Sequence, residues 1–198
     1  MNRILTLTAA LLLSGSLFGQ ITKVGGGLFY NAGYYYNNEA FDDHKLGNPA
    51  IFLTGIYELN LPFHIAPRIS VHMPNIQTLE DADGMSIRTA VNAFSLDLDA
   101  HYVFNYLDRL EIYGLAGLNM LFARRSTEYD TPNFNESFRD SNTSAGFNLG
   151  VGSYMKVAEQ LDLYGEVKFI VASQVQFAAT LGLLLNVQWL ARNEDPGF

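Results

Sequence analysis

The chain has 198 residues, a formal net charge of −8, 48% hydrophobic residues, fourteen Phe, eleven Tyr, seventeen Gly, one Trp and no Cys. The acid excess excludes nucleic acid as a partner, because such binding calls for a basic face. The lack of cysteine excludes disulfides and thiolate metal sites, and the aromatic and glycine content suits β-structure better than helix.

Met1 to Gln20 reads as a signal peptide: Arg3 supplies the positive start, Ile4 to Leu13 the apolar run and Ser14 to Gln20 the small-residue end. That run is too short for a stop-transfer helix, and no later stretch is long and unbroken enough to be one. Residues 21–198 are then expected to form one exported domain with a short C-terminal tail.

Eight segments follow in which apolar residues recur at a period of two, each close to the roughly 9–11 residues of a membrane-crossing strand. They are expected at Thr22–Ala32, Ala50–Asn60, Phe63–Met73, Val91–Phe104, Arg109–Phe122, Ser144–Val157, Leu161–Val171 and Val175–Gln188. Their links alternate. Leu61–Pro62, Asn105–Asp108 and Ala158–Gln160 are short, whereas Tyr34–Pro49, Pro74–Ala90 and Ala123–Thr143 are long, polar and expected to be structureless; only the link near Ser173 is short on the long side. Gly25-Gly26-Gly27 is not followed by the Lys-Ser/Thr of a phosphate loop, and is expected to let the first strand approach a neighbour closely.

The faces of these segments differ in kind. In the fourth, Phe94, Leu96, Leu98, Ala100, Tyr102 and Phe104 oppose Ser95, Asp97, Asp99 and His101; in the seventh, Leu163, Val167, Phe169 and Val171 oppose Asp162, Glu166 and Lys168. Aromatics gather towards strand ends, among them Tyr30, Tyr57, Phe63, Phe104, Tyr106, Phe122, Phe177 and Trp189. Lipid outside and charge inside accounts for both patterns. A soluble lipocalin-like carrier with the faces reversed stays open, because periodicity alone does not say which face points outward.

In the last segment Thr180, Gly182, Leu185 and Val187 resemble the C-terminal β-signal of outer-membrane barrels, with Val187 where an aromatic is usual and a tail following to Phe198. With the signal peptide, the eight strands and the alternating links, the chain resembles the small eight-stranded outer-membrane β-barrels of the OmpA/OmpX type, the outer-membrane β-barrel domain or porin-family proteins. The resemblance implies an all-β, eight-stranded antiparallel up-and-down barrel in the outer membrane of a gram-negative envelope. It implies lipid, lipopolysaccharide and the barrel-assembly machinery as partners, with an extracellular or envelope protein at the loops. A PorT-like secretion-associated barrel and a lipid-modifying barrel enzyme are the alternatives within the same architecture.

Folding the short turns symmetrically sets Glu58 against His64, His101 against Glu111 and Lys156 against Asp162. With Arg68, Asp97, Asp99, Glu166 and Lys168 these form an ion-pair network expected to plug the lumen, since an eight-stranded interior is just wide enough for side chains. No catalytic residue and no cofactor is expected: Ser70 and His72 point inward, and no Gly-x-Ser-x-Gly elbow occurs in the sequence. No metal is expected either: of the candidates His64, His72 and His101, His64 and His72, eight residues apart on one strand, are about 26 Å apart at 3.3 Å per residue, and with His44 in a link no histidine cluster survives. Glu80-Asp81-Ala82-Asp83-Gly84 lacks the rest of a calcium loop. Arg124 and Arg125, just past Phe122, are candidates to grip lipopolysaccharide phosphates.

Overall fold

The computed structural model describes residues 21–32, 48–60, 62–80, 86–107, 109–131, 134–172 and 175–187. The expected signal peptide, most of the first long link, the end of the acidic Glu80–Gly84 stretch and the tail from Gln188 lie outside them. Among the described residues there are nine strands: β1 (Ile21–Ala32), β2 (Asn48–Asn60), β3 (Phe63–His72), β4 (Asn75–Glu80), β5 (Ser86–Leu107), β6 (Leu110–Thr131), β7 (Phe134–Ala158), β8 (Leu161–Val171) and β9 (Val175–Asn186). Eight of them make a ring, every neighbour antiparallel, in the order β3-β2-β1-β9-β8-β7-β6-β5 with β3 pairing β5 to close it. β4 stays outside the ring.

Walking the register from Ile21 through Tyr57, Ile65, Ala100, Ala116, Leu149, Phe169 and Phe177 returns to β1 at Ala32 rather than at Ile21. That stagger is what tilts the strands of a barrel. Where β1 meets β9, Gly27 stands opposite Gly182, and a Cβ on Gly27 would lie 2.4 Å from the Gly182 Cα. The expected close approach of the glycine run is therefore present, and the glycines permit it.

The outward face decides the solvent. Leu53 is 72% exposed and Phe147 67%, while Arg68 and Asp97 on the inner face are 2% and 4% exposed. An apolar exterior around a charged interior is stable in hydrocarbon and not in water, which removes the soluble-carrier alternative. Aromatic pairs mark both ends of the apolar band: Phe63 against Tyr102 at 5.2 Å near the short turns, and Phe94 stacked on Phe122 at 4.6 Å at the opposite end.

Two of the three long links are not structureless. β5 pairs with β3 only from Phe94 onward and then continues past the ring to Ser86, paired with β4. β6 and β7 stay paired without interruption out to Thr131 and Phe134, although β7 meets β8 only from Phe147. A four-stranded sheet, β4-β5-β6-β7, thus stands beyond the barrel. Its ladders carry it together with cross-strand pairs such as Arg88 opposite Glu128 and Arg125 opposite Asp140, and with Tyr129 packed edge-on against Phe138 at 5.8 Å. Its outward face is exposed, whereas Val91, Ala93, Ala123 and Thr127 on the lumen-side face are buried near the ring, and polar residues are interspersed on both, so the apolar period that betrays the barrel strands is lost.

Candidate functional site

Strand alternation drives one side chain in two into the lumen, and at mid-depth these are charged. Arg68 of β3 reaches across to β8, where its Nη2 lies 2.8 Å from Glu166 Oε1; it also donates to the Tyr164 hydroxyl, and its Nη1 to Thr180 Oγ1 at 3.3 Å. The other Glu166 oxygen accepts from Tyr164 at 2.5 Å and from Tyr113 at 3.2 Å. Lys168 bridges Asp97 at 3.0 Å and Asp99 at 2.9 Å, and Asn148 donates to both aspartates at 2.7 Å. Charges withdrawn from water persist only when paired and hydrogen-bonded in this way.

Beneath that layer His101 stacks on Tyr113 at 4.2 Å, Tyr113 on Tyr154 at 4.6 Å, and Tyr154 on Tyr164 at 5.7 Å. His101 Nδ1 is 2.5 Å from the Tyr154 hydroxyl. At the short-turn mouth Lys23 lies 2.9 Å from Asp162 and 3.8 Å from Glu58, within a polar recess of about 220 Å³ that Glu111, Lys156 and Tyr154 also line. Rings and ion pairs thus both lie within the ring.

The residues expected in the network are placed unequally. Arg68, Asp97, Asp99, His101, Glu166 and Lys168 come together at mid-depth, as the shared face requires. Glu58 and His64 are register partners, and so are Lys156 and Asp162, yet the ion pair of Asp162 is with Lys23. The third pairing fails. β5 runs to Leu107 and β6 restarts at Leu110, so the turn lies beyond Tyr106, and a bulge follows between Val103 and Asn105; Glu111 stands opposite Tyr106, and His101 opposite Leu115. Lys23 escaped notice because a bulge between Ile21 and Lys23 turns both Thr22 and Lys23 inward, breaking the period.

Arg124 and Arg125 cannot act as a pair, since neighbouring residues of a strand point to opposite faces. Arg125 shares the lumen-side face of the extended sheet with Thr127, to whose Oγ1 its Nε is 3.3 Å, while Arg124 faces outward like Phe122. Arg139 shares that outward face, diagonal to Arg124 across the β6–β7 ladder. In β9, Thr180 and Gly182 face the lumen and Leu185 faces outward.

The family model for the outer membrane protein beta-barrel domain matches residues 5–186. The chain belongs to this family. No curated protein matches it by sequence. Among solved structures it is similar to Ail, the attachment invasion locus protein of Yersinia pestis, at 14% identity and a TM-score of 0.51 over 83% of this chain and 96% of that one. Neisserial surface protein A follows at 13% identity and TM-score 0.49, over 83% of this chain and 96% of its own. The N-terminal barrel of Pseudomonas aeruginosa OprF is 18% identical at TM-score 0.47, over 84% and 98%. Likeness to Ail shows the fold, and membership of the outer-membrane β-barrel family places the chain in the outer membrane of a gram-negative envelope.

Proposed function

We propose that the barrel anchors the β4–β7 sheet outside the cell, where the sheet binds a protein or glycan partner, and that the lumen conducts no solutes. The observation that carries this reading is the continuation of β5, β6 and β7 beyond the ring as a sheet with two edges, β4 and the 134–146 part of β7, that pair with nothing further among the described residues. An exposed edge offers backbone donors and acceptors to an added strand. The filled lumen supports the second half: Arg68, Lys168 and three stacked tyrosines leave no path for a sugar.

Arg124 and Arg139, outward and just beyond the Phe94–Phe122 stack, suit lipopolysaccharide phosphates better than Arg124 with Arg125. Ail was solved in complex with a heparin analogue, sucrose octasulfate, and an anionic glycan is one class of ligand for the same arginines. The buried, inward positions of Ser70, His72 and Ser95 support a binding protein over a lipid-modifying enzyme, whose groups must meet lipid. Thr180, Gly182, Leu185 and Val187 would present β9 to the assembly machinery.

A photo-crosslinking residue at Thr78 on one edge, or at Ser137 on the other, tests the binding role in intact cells. Discrete adducts are expected, and they should vanish when residues 126–140 are replaced by a short Gly/Ser turn that leaves the barrel folded. Bare chain at both edges would overturn the reading.

A further inference from the structure

Asp99 and His101 stand two apart on β5 and so point into the lumen together, while Glu166 reaches them from β8 on the far wall. One ligand atom from each of the three lies within 4.8 Å of the others, and the residues are 0%, 0% and 4% exposed. His101 Nε2 has no hydrogen-bond partner and sits 3.9 Å from Glu166 Oε2, beyond bonding distance. Buried polar atoms are rarely left without a partner, and each one that is calls for an explanation.

The opposite ring nitrogen supplies the clue. His101 Nδ1 is held by the Tyr154 hydroxyl at 2.5 Å, which fixes the ring with Nε2 towards the carboxylates. Metal-bound histidines are oriented in this manner, the outer nitrogen hydrogen-bonded and the inner one coordinating. Charge points the same way. Asp97, Asp99 and Glu166 face only Arg68 and Lys168, so the cluster keeps one negative charge without a fixed counter-ion. Lys168 can release Asp99 and hold Asp97, whose Oδ2 is buried and lacks a partner.

We propose that Asp99, His101 and Glu166 bind one divalent first-row transition-metal ion, which clamps β5 to β8 across the lumen. One imidazole with two carboxylates suits ions such as Zn²⁺, Mn²⁺ or Fe²⁺, whereas Mg²⁺ and Ca²⁺ take oxygen alone. The recess at the short-turn mouth, lined by Glu58, Glu111 and Asp162 together with Lys23, Arg109 and Lys156, is bounded by Tyr154, the residue that holds His101 Nδ1. The sequence holds no histidine cluster; the ring instead brings one histidine to carboxylates from two strands.

The test uses the tag-free mature chain, refolded in detergent, stripped with chelator and titrated with Co²⁺. One Co²⁺ per chain is expected, giving a visible absorption band that Zn²⁺ displaces. His101→Asn should abolish the band, Tyr154→Phe should weaken binding about 10–100-fold, and His72→Asn should change nothing. X-ray absorption of the Zn²⁺-loaded wild type decides the matter even where a variant fails to fold: one imidazole nitrogen and carboxylate oxygens at about 2.0–2.2 Å are expected. Folded wild type that takes up no Co²⁺, bound zinc without an imidazole ligand, or folded His101→Asn binding as tightly as wild type would each overturn the proposal.

Discussion

Arg68 ties three strands together, its own β3, then β8 through Glu166 and Tyr164, and β9 through Thr180. Removing one partner of such a buried pair leaves the other charged and unmatched, at a cost of about 3–5 kcal/mol. Glu166→Gln, measured by urea unfolding in micelles with chelator present, should lose that much stability, and Arg68→Met with Glu166→Leu should recover most of it. A Glu166→Gln loss under about 1 kcal/mol would mean that the pair is solvated, contrary to its burial. The membership of this layer was legible in the sequence, because Asp97, Asp99 and His101 alternate with Leu96, Leu98 and Ala100. Its pairings were not. Who meets whom depends on bulges at Lys23 and Asn105 that no composition announces, and on crossings of the lumen such as Arg68 to Glu166 that strand-neighbour reasoning does not reach.

At the scale of elements, β9 shows why a period of two was sufficient for the ring. Phe177, Leu181, Leu183 and Leu185 face outward while Gln176, Ala178, Thr180 and Leu184 are buried. A charge on the outward face near mid-membrane costs about 2–4 kcal/mol for Lys. Leu183→Lys should therefore impair insertion and heat-modifiable gel mobility, whereas Gly182→Arg should fail by crowding, since even a Cβ there would come 2.8 Å from Phe52. Normal insertion of Leu183→Lys would show that the facing is wrong. The same period hid the outer sheet: Asn75–Glu80 and residues 123–131 and 134–142 carry polar residues on both faces, so strand geometry there rests on ladder hydrogen bonds and on pairs such as Tyr129 with Phe138.

For the molecule as a whole, the proposed role is that of a surface protein rather than a pore. Planar-bilayer recording of refolded chain should show no steady channel permeable to sugars; such a channel would contradict the packing of Arg68, Lys168 and the tyrosines. Orientation is the claim on which the binding role depends: the sheet must lie outside the cell and the short turns in the periplasm. With no cysteine in the sequence, single substitutions report position cleanly. Intact cells carrying Ser137→Cys or Glu159→Cys would be treated with a maleimide on a polymer too large to cross the outer membrane. Ser137→Cys is expected to label at once and Glu159→Cys only after the membrane is opened; labelling of Glu159→Cys on intact cells, with Ser137→Cys protected, would place the sheet in the periplasm and contradict the account.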